Sequence, residues 1–216
     1  MELSSSSRRE RLLGSVAALA VVVSGLAIGP ATTVSQADDS VGYVGTVVPA
    51  RLLDTRSTGE TVDGRFEGAG KVQAGTFVKV QIAGRGNVPA DAVGVELNIT
   101  AIQNEGRGFA TLYPCTAERP TASTLNYTPG VNIANATTVA LNDQGEVCVY
   151  TSTTAHYALD VVAFIPSGSD VGTVVPARLL DTRSTGETVD GRFEGAGKVQ
   201  AGTFVKVQIA GRGNVP

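Results

Sequence analysis

Three charged side chains in one short string are the first candidates for chemistry. They are Arg51, Asp54 and Arg56, within Val48-Pro49-Ala50-Arg51-Leu52-Leu53-Asp54-Thr55-Arg56. A carboxylate set between guanidinium forks accepts charge-assisted hydrogen bonds. Such a cluster suits either a bound sugar or carboxylate, or an internal ion-pair network. Only one acid is present, so the string reads as structural: an irregular entry segment pinned by ion pairs and backbone hydrogen bonds. His156, the single histidine, stands in Thr153-Thr154-Ala155-His156-Tyr157. A hydrolytic relay needs a positioned nucleophile and an orienting acid, and no serine occupies a G-x-S-x-G elbow. The acids Glu105, Glu118, Asp143, Glu146 and Asp160 are scattered, so they nominate no glycosidase pair. One His and two Cys do not supply a Cys/His zinc site. We therefore expect no catalytic residue, no metal and no cofactor, and keep a secreted carbohydrate-active enzyme or other hydrolase as the alternative.

A second constellation suits binding. Tyr113, Arg119, Asn126, Tyr127 and Tyr150 gather aromatic faces and amide or guanidinium donors around Cys115 and Cys148. These are the ingredients of a glycan-binding surface, although buried Tyr rings filling a core would give the same composition. Gly84-Arg85-Gly86 and Gly68-Ala69-Gly70 lack the lysine and following helix of a phosphate loop and read as turns. Three Asn-x-Thr triplets, at Asn98, Asn126 and Asn135, are assigned no function.

The elements that must position these groups begin with an address label. Arg8, Arg9 and Arg11 precede an uncharged run from Leu12 to Gly29, and Val34-Ser35-Gln36-Ala37 follows. Small residues at Ser35 and Ala37 mark a signal peptide over residues 1–37, cleaved after Ala37. A retained membrane anchor is the competing reading, and the paired Arg8-Arg9 is a weak hint of twin-arginine export. The expected location is therefore secreted or at the cell surface, with membrane contact only through the signal segment before cleavage. In an oxidising compartment Cys115 and Cys148 are expected to pair. Closing a loop of that length is worth about 3–4 kcal/mol in the chain-entropy model.

Composition agrees with a folded exported domain. Of 216 residues 42% are hydrophobic and 17% charged, with a net charge of −3, which excludes wholesale disorder. No basic excess would draw nucleic acid.

The chain also repeats itself. Val44–Pro89 and Val171–Pro216 are identical over 46 residues. The reading is a lead-in at 38–43, a complete module at 44–170, and the first third of a second module at 171–216. A repeat of that length is a whole domain rather than a solenoid turn, so an intact array is expected to be longer. A sharper alternative has the tail docking on another chain in place of that chain's identical segment.

Within the complete module, apolar residues alternate at period two. Val78 and Val80, Val95 to Ala101, Thr137 to Leu141, Val147 and Val149, and Tyr157 to Ala163 all follow it. Turn signals such as Asn142-Asp143-Gln144-Gly145 separate these runs, and no helical stripe appears. The expected class is all-β, an antiparallel two-sheet β-sandwich of eight to ten strands, with a β-barrel as runner-up.

Six strings together carry a family resemblance: VPARLLDTR, GRGNVPADAVGVELNITA, TLYPC, RPTASTLNY, ANATTVAL and GEVCVY. They resemble a repeat module of secreted, mostly actinobacterial proteins, found in tandem or beside extracellular hydrolase domains. The resemblance covers residues 44–165 and again 171–216. It implies an exported, β-rich, non-catalytic accessory or adhesion module that binds cell-envelope or environmental polysaccharide, or spaces other domains. It brings no catalytic residues with it. The chain departs from the pattern in ending inside its second copy and in having no partner enzyme domain.

Overall fold

The computed structural model describes residues 43–115 and 118–216; the expected signal peptide lies outside the described residues. Eight strands follow in order: β1 (Gly45–Asp54), β2 (Phe77–Gln81), β3 (Gly94–Ile102), β4 (Gly108–Pro114), β5 (Leu125–Tyr127), β6 (Ile133–Ala140), β7 (Glu146–Thr151) and β8 (His156–Ile165). No helix occurs among the described residues. The strands make two four-stranded antiparallel sheets, ordered β1-β8-β3-β6 and β2-β7-β4-β5. The sheets are separate and do not close on each other, so the module is a β-sandwich rather than a barrel.

Alternation decides which face turns inward, because successive side chains on a strand point to opposite sides. On β3, Val95, Leu97, Ile99 and Ala101 are all fully buried, and on β8 so are Tyr157, Leu159 and Val161. The second sheet answers with Val80, Ala110, Leu112, Val147 and Val149. These side chains form one hydrophobic core between the sheets. Tyr157 reaches through it with its hydroxyl satisfied: it lies 2.7 Å from Thr151 Oγ1 and 3.2 Å from the Tyr127 hydroxyl. Burial without such partners would be costly for these oxygens.

The Val48–Arg56 string corrects the sequence reading. Most of it is not an irregular entry segment but part of a ten-residue edge strand, β1, paired with β8. Two register shifts, between Thr46 and Ala50 and between Arg51 and Leu53, break its alternation. Adjacent Leu52 and Leu53 are therefore both buried. Pro49, which has no N–H to give a ladder, is accommodated because β1 is an edge.

The second copy forms no strand. It nevertheless keeps the local shape of the first: a bridge joins Asp181 to Glu194, as one joins Asp54 to Glu67. Several of its apolar residues are uncovered, with Ile209 exposed by 48% where the equivalent Ile82 is fully buried.

Candidate functional site

The Arg51–Asp54–Arg56 cluster assembles at the end of β1. Asp54 is fully buried. It accepts from Arg51 Nη1 at 3.1 Å, from Arg56 Nε at 2.9 Å and Nη2 at 2.6 Å, and from the Arg56 backbone N–H at 3.2 Å. Arg51 also forks onto Asp160 of β8 at 2.8 and 3.1 Å. The Arg56 hydrogen bonds, acting against burial, hold the Asp54 carboxyl below its ordinary range. With both carboxylate oxygens occupied and the residue shut away from solvent, Asp54 is an internal strut. The cluster locks the end of β1 to β8, with two hydrogen bonds on each Asp54 oxygen.

His156 sits beside this strut. Its Nδ1 is 2.9 Å from Thr55 Oγ1, and the same hydroxyl accepts the backbone N–H of Tyr157 at 3.0 Å. Burial, with a smaller contribution from Lys71, lowers the imidazole pKa below its usual value. Thr55 is only 1% exposed, and its hydroxyl is engaged by His156 and by the Tyr157 backbone. The pair is built as a turn fastener. Among the described residues no cluster of three His, Cys, Asp or Glu side chains is placed to hold a metal.

The more open chemistry lies on the outer face of the β2-β7-β4-β5 sheet. Cys115 and Cys148 form a disulfide with Cα atoms 5.0 Å apart, joining the end of β4 to the middle of β7. Residues 122–124 run back alongside β4, where Thr111 Oγ1 donates to the Ala122 carbonyl at 2.9 Å and Leu112 N–H to Thr124 Oγ1 at 2.9 Å. This brings Arg119 onto the Tyr150 ring, 4.1 Å from its centroid and 5.9 Å from that of Phe109. The Phe109 and Tyr150 rings are 5.9 Å apart and tilted by 41°. Phe77 stands directly across from Tyr150 in the β2–β7 register and is 55% exposed. Asn126 is exposed on the same face, opposite Phe109.

The five residues expected to bind glycan therefore divide. Arg119, Asn126 and Tyr150 share this outer face. Tyr113, opposite Cys148, is buried, and that burial raises its phenol pKa. Tyr127 points inward, its hydroxyl bonded to Thr151 Oγ1 at 2.7 Å and to the Thr153 carbonyl at 3.1 Å. Phe77 and Phe109 complete the face and were not among the candidates. The signal for Phe77 was present in the sequence, since it falls in phase with Lys79 and Gln81 on the polar side of β2. An aromatic residue in that phase must face solvent or a ligand.

No family model, curated protein or solved structure matches the chain.

Proposed function

We propose that the module is a non-catalytic binding unit of an exported protein and that its ligand is a cell-envelope or environmental polysaccharide. The observation that carries this reading is the row Phe77, Tyr150 and Phe109 on one outer sheet face, with the Arg119 guanidinium laid along it. Flat π-faces offer stacking surface to the C–H faces of sugar rings, while arginine and asparagine donors orient hydroxyl groups. The disulfide fits an oxidising, extracytoplasmic location. A non-catalytic role is supported by the buried, fully engaged states of Asp54 and Thr55. The resemblance to secreted repeat modules points the same way, and repetition raises avidity without any new contact.

The test is retention of the secreted chain on insoluble chitin, cellulose and cell-wall sacculi, run beside a panel of soluble hydrolase substrates. Retention without turnover is expected, falling at least tenfold in Tyr150→Ala while His156→Ala binds normally. Turnover abolished by His156→Ala would establish the hydrolase alternative instead. Neither retention nor turnover would leave the module as a spacer.

A further inference from the structure

Residues 44–89 and 171–216 are one sequence, yet only the first copy is paired into the sheets. We propose that the two copies compete for a single site. The block from Ala90 to Ile165 is completed either by 44–89 or by 171–216 of the same chain, so the module exchanges between two connectivities that make the same sheet contacts.

The docking surface is matched by identity. In the first copy, Gly45–Asp54 pairs with β8 and Phe77–Gln81 pairs with β7. The tail carries the same residues at 172–181 and 204–208. Leu53, beside β8, is 1% exposed and Ile82 is fully buried, whereas their equivalents Leu180 and Ile209 are 38% and 48% exposed. The surface that buries Leu53 and Ile82 fits their twins equally.

The tail already holds the docked shape. Asp181 accepts from Arg178 and Arg183 as Asp54 does from Arg51 and Arg56. Arg212 forks onto Asp190 at 2.7 Å, as Arg85 does onto Asp63. Phe193 and Asn214 have φ of 59° and 63°, against 60° and 63° at Phe66 and Asn87. Few loops need reordering on docking, which keeps its entropic cost low.

Connectivity permits the exchange. Gly45 faces Phe164 across the β1–β8 ladder, so the start of the docked segment lies about 5 Å from the end of β8. In the second connectivity, position 172 takes that place, and residues 166–171 close a hairpin. Six residues reach about 20 Å when extended, far more than the gap. The chain already turns there: Ser169 N–H donates to the Pro166 carbonyl at 3.2 Å, with Gly168 at φ 77°. At the other junction one backbone bond crosses from block to copy, Ala92 N–H to the Pro89 carbonyl at 3.2 Å, and Pro216 offers the same carbonyl. Both forms bury the same side chains, so they differ mainly in loop closure, which depends only slowly on loop length. Attachment to the same chain favours this exchange over docking on another molecule.

Single-copy substitutions in the full chain test the idea. Leu53→Asp alone should leave a cooperative thermal transition within about 5 °C of the parent, because the tail takes over. Leu180→Asp alone should change little, and the double variant should lose the transition. If Leu53→Asp behaves like the double variant, the proposal is overturned. A second measurement reads the exchanged form directly. Arg51 pairs with Asp160 in register, so Arg178→Cys with Asp160→Cys reports the alternative connectivity and Arg51→Cys with Asp160→Cys the observed one. Under mild oxidation the first pair should cross-link within one chain, with a yield that rises at least threefold when Leu53→Asp is added. No cross-link from that pair, or one that joins two chains, refutes intrachain exchange.

Discussion

Arg85 and Asp63, 22 residues apart, form a two-point ion pair at 2.7 and 2.6 Å. The arginine is almost wholly buried, with its guanidinium 4.9 Å from the centre of the Phe66 ring. It also donates to the carbonyls of Leu52 and Gln81 at 3.0 and 2.7 Å. One side chain thus ties the end of β1, the end of β2 and the long loop between them. Removing the charge strands a carboxylate and two carbonyls. With the tail disabled by Leu180→Asp, Arg85→Met should destabilise the module by about 1–3 kcal/mol, read as a shift in the urea midpoint. Arg212→Met, in the unpaired copy, should leave that midpoint unmoved.

Acid should unfold the module in two stages. The Arg85 hydrogen bonds hold Asp63 at about 2 against an ordinary 3.8, and those from Arg56 lower Asp54 as well. The unfolded chain therefore takes up protons that the folded carboxylates refuse, and stability falls as pH drops from about 4 towards 2. Above that window their contribution is present in full. His156 acts earlier and more weakly: burial lowers its pKa below 6.5, so the unfolded histidine protonates first and a small loss begins as pH falls through that value. Urea midpoints measured from pH 8 to pH 2 should show a shallow first step and a steep second one. His156→Gln should erase only the shallow step.

A Cβ placed on Gly59 would lie 2.5 Å from the Asp54 carboxyl carbon. The loop therefore needs glycine for space, since it closes directly over the buried strut. With the tail disabled by Leu180→Asp, Gly59→Ala should push Asp54 off its guanidinium partners and cost about 1–3 kcal/mol. Gly64→Ala meets no atom within 4 Å but forces a side chain into a φ of 71°. Comparing the two by thermal melting separates crowding from backbone strain, and Gly59→Ala should also narrow the acid window by raising the Asp54 pKa.

The alternating strands were legible in the sequence because their pattern is local. Val95 to Ala101 and Tyr157 to Ala163 show the inward phase they were expected to have. β1 was not legible, since Pro49 and two register shifts hide a strand whose pairing is visible only beside β8. Arg85 read as part of a glycine turn, because its partner Asp63 lies far off in the chain. Among the candidate binding residues, Tyr127 sits in phase with buried Leu125 and could have been assigned inward. Tyr113 could not, as it shares the outer phase of Phe109 and is nevertheless buried.

The placement of Arg119 on Tyr150 makes the disulfide a condition of the proposed binding face as well as of stability. Cys115 and Cys148 are separated by 33 residues, so their link restrains the unfolded chain by about 3–4 kcal/mol in the loop-entropy model. In the folded chain it anchors the start of the strap that carries Arg119 to Tyr150. The ladder of β4 on β7 and the core behind it do not pass through the sulfurs. Cys115→Ser with Cys148→Ser should therefore melt earlier yet keep its β-sheet circular dichroism at room temperature. Its retention on polysaccharide should fall to the level of Arg119→Ala, because both variants take the guanidinium away from the Tyr150 ring. Full retention without the disulfide would mean that sheet and rings bind without the strap, and that Arg119 contributes nothing to the site.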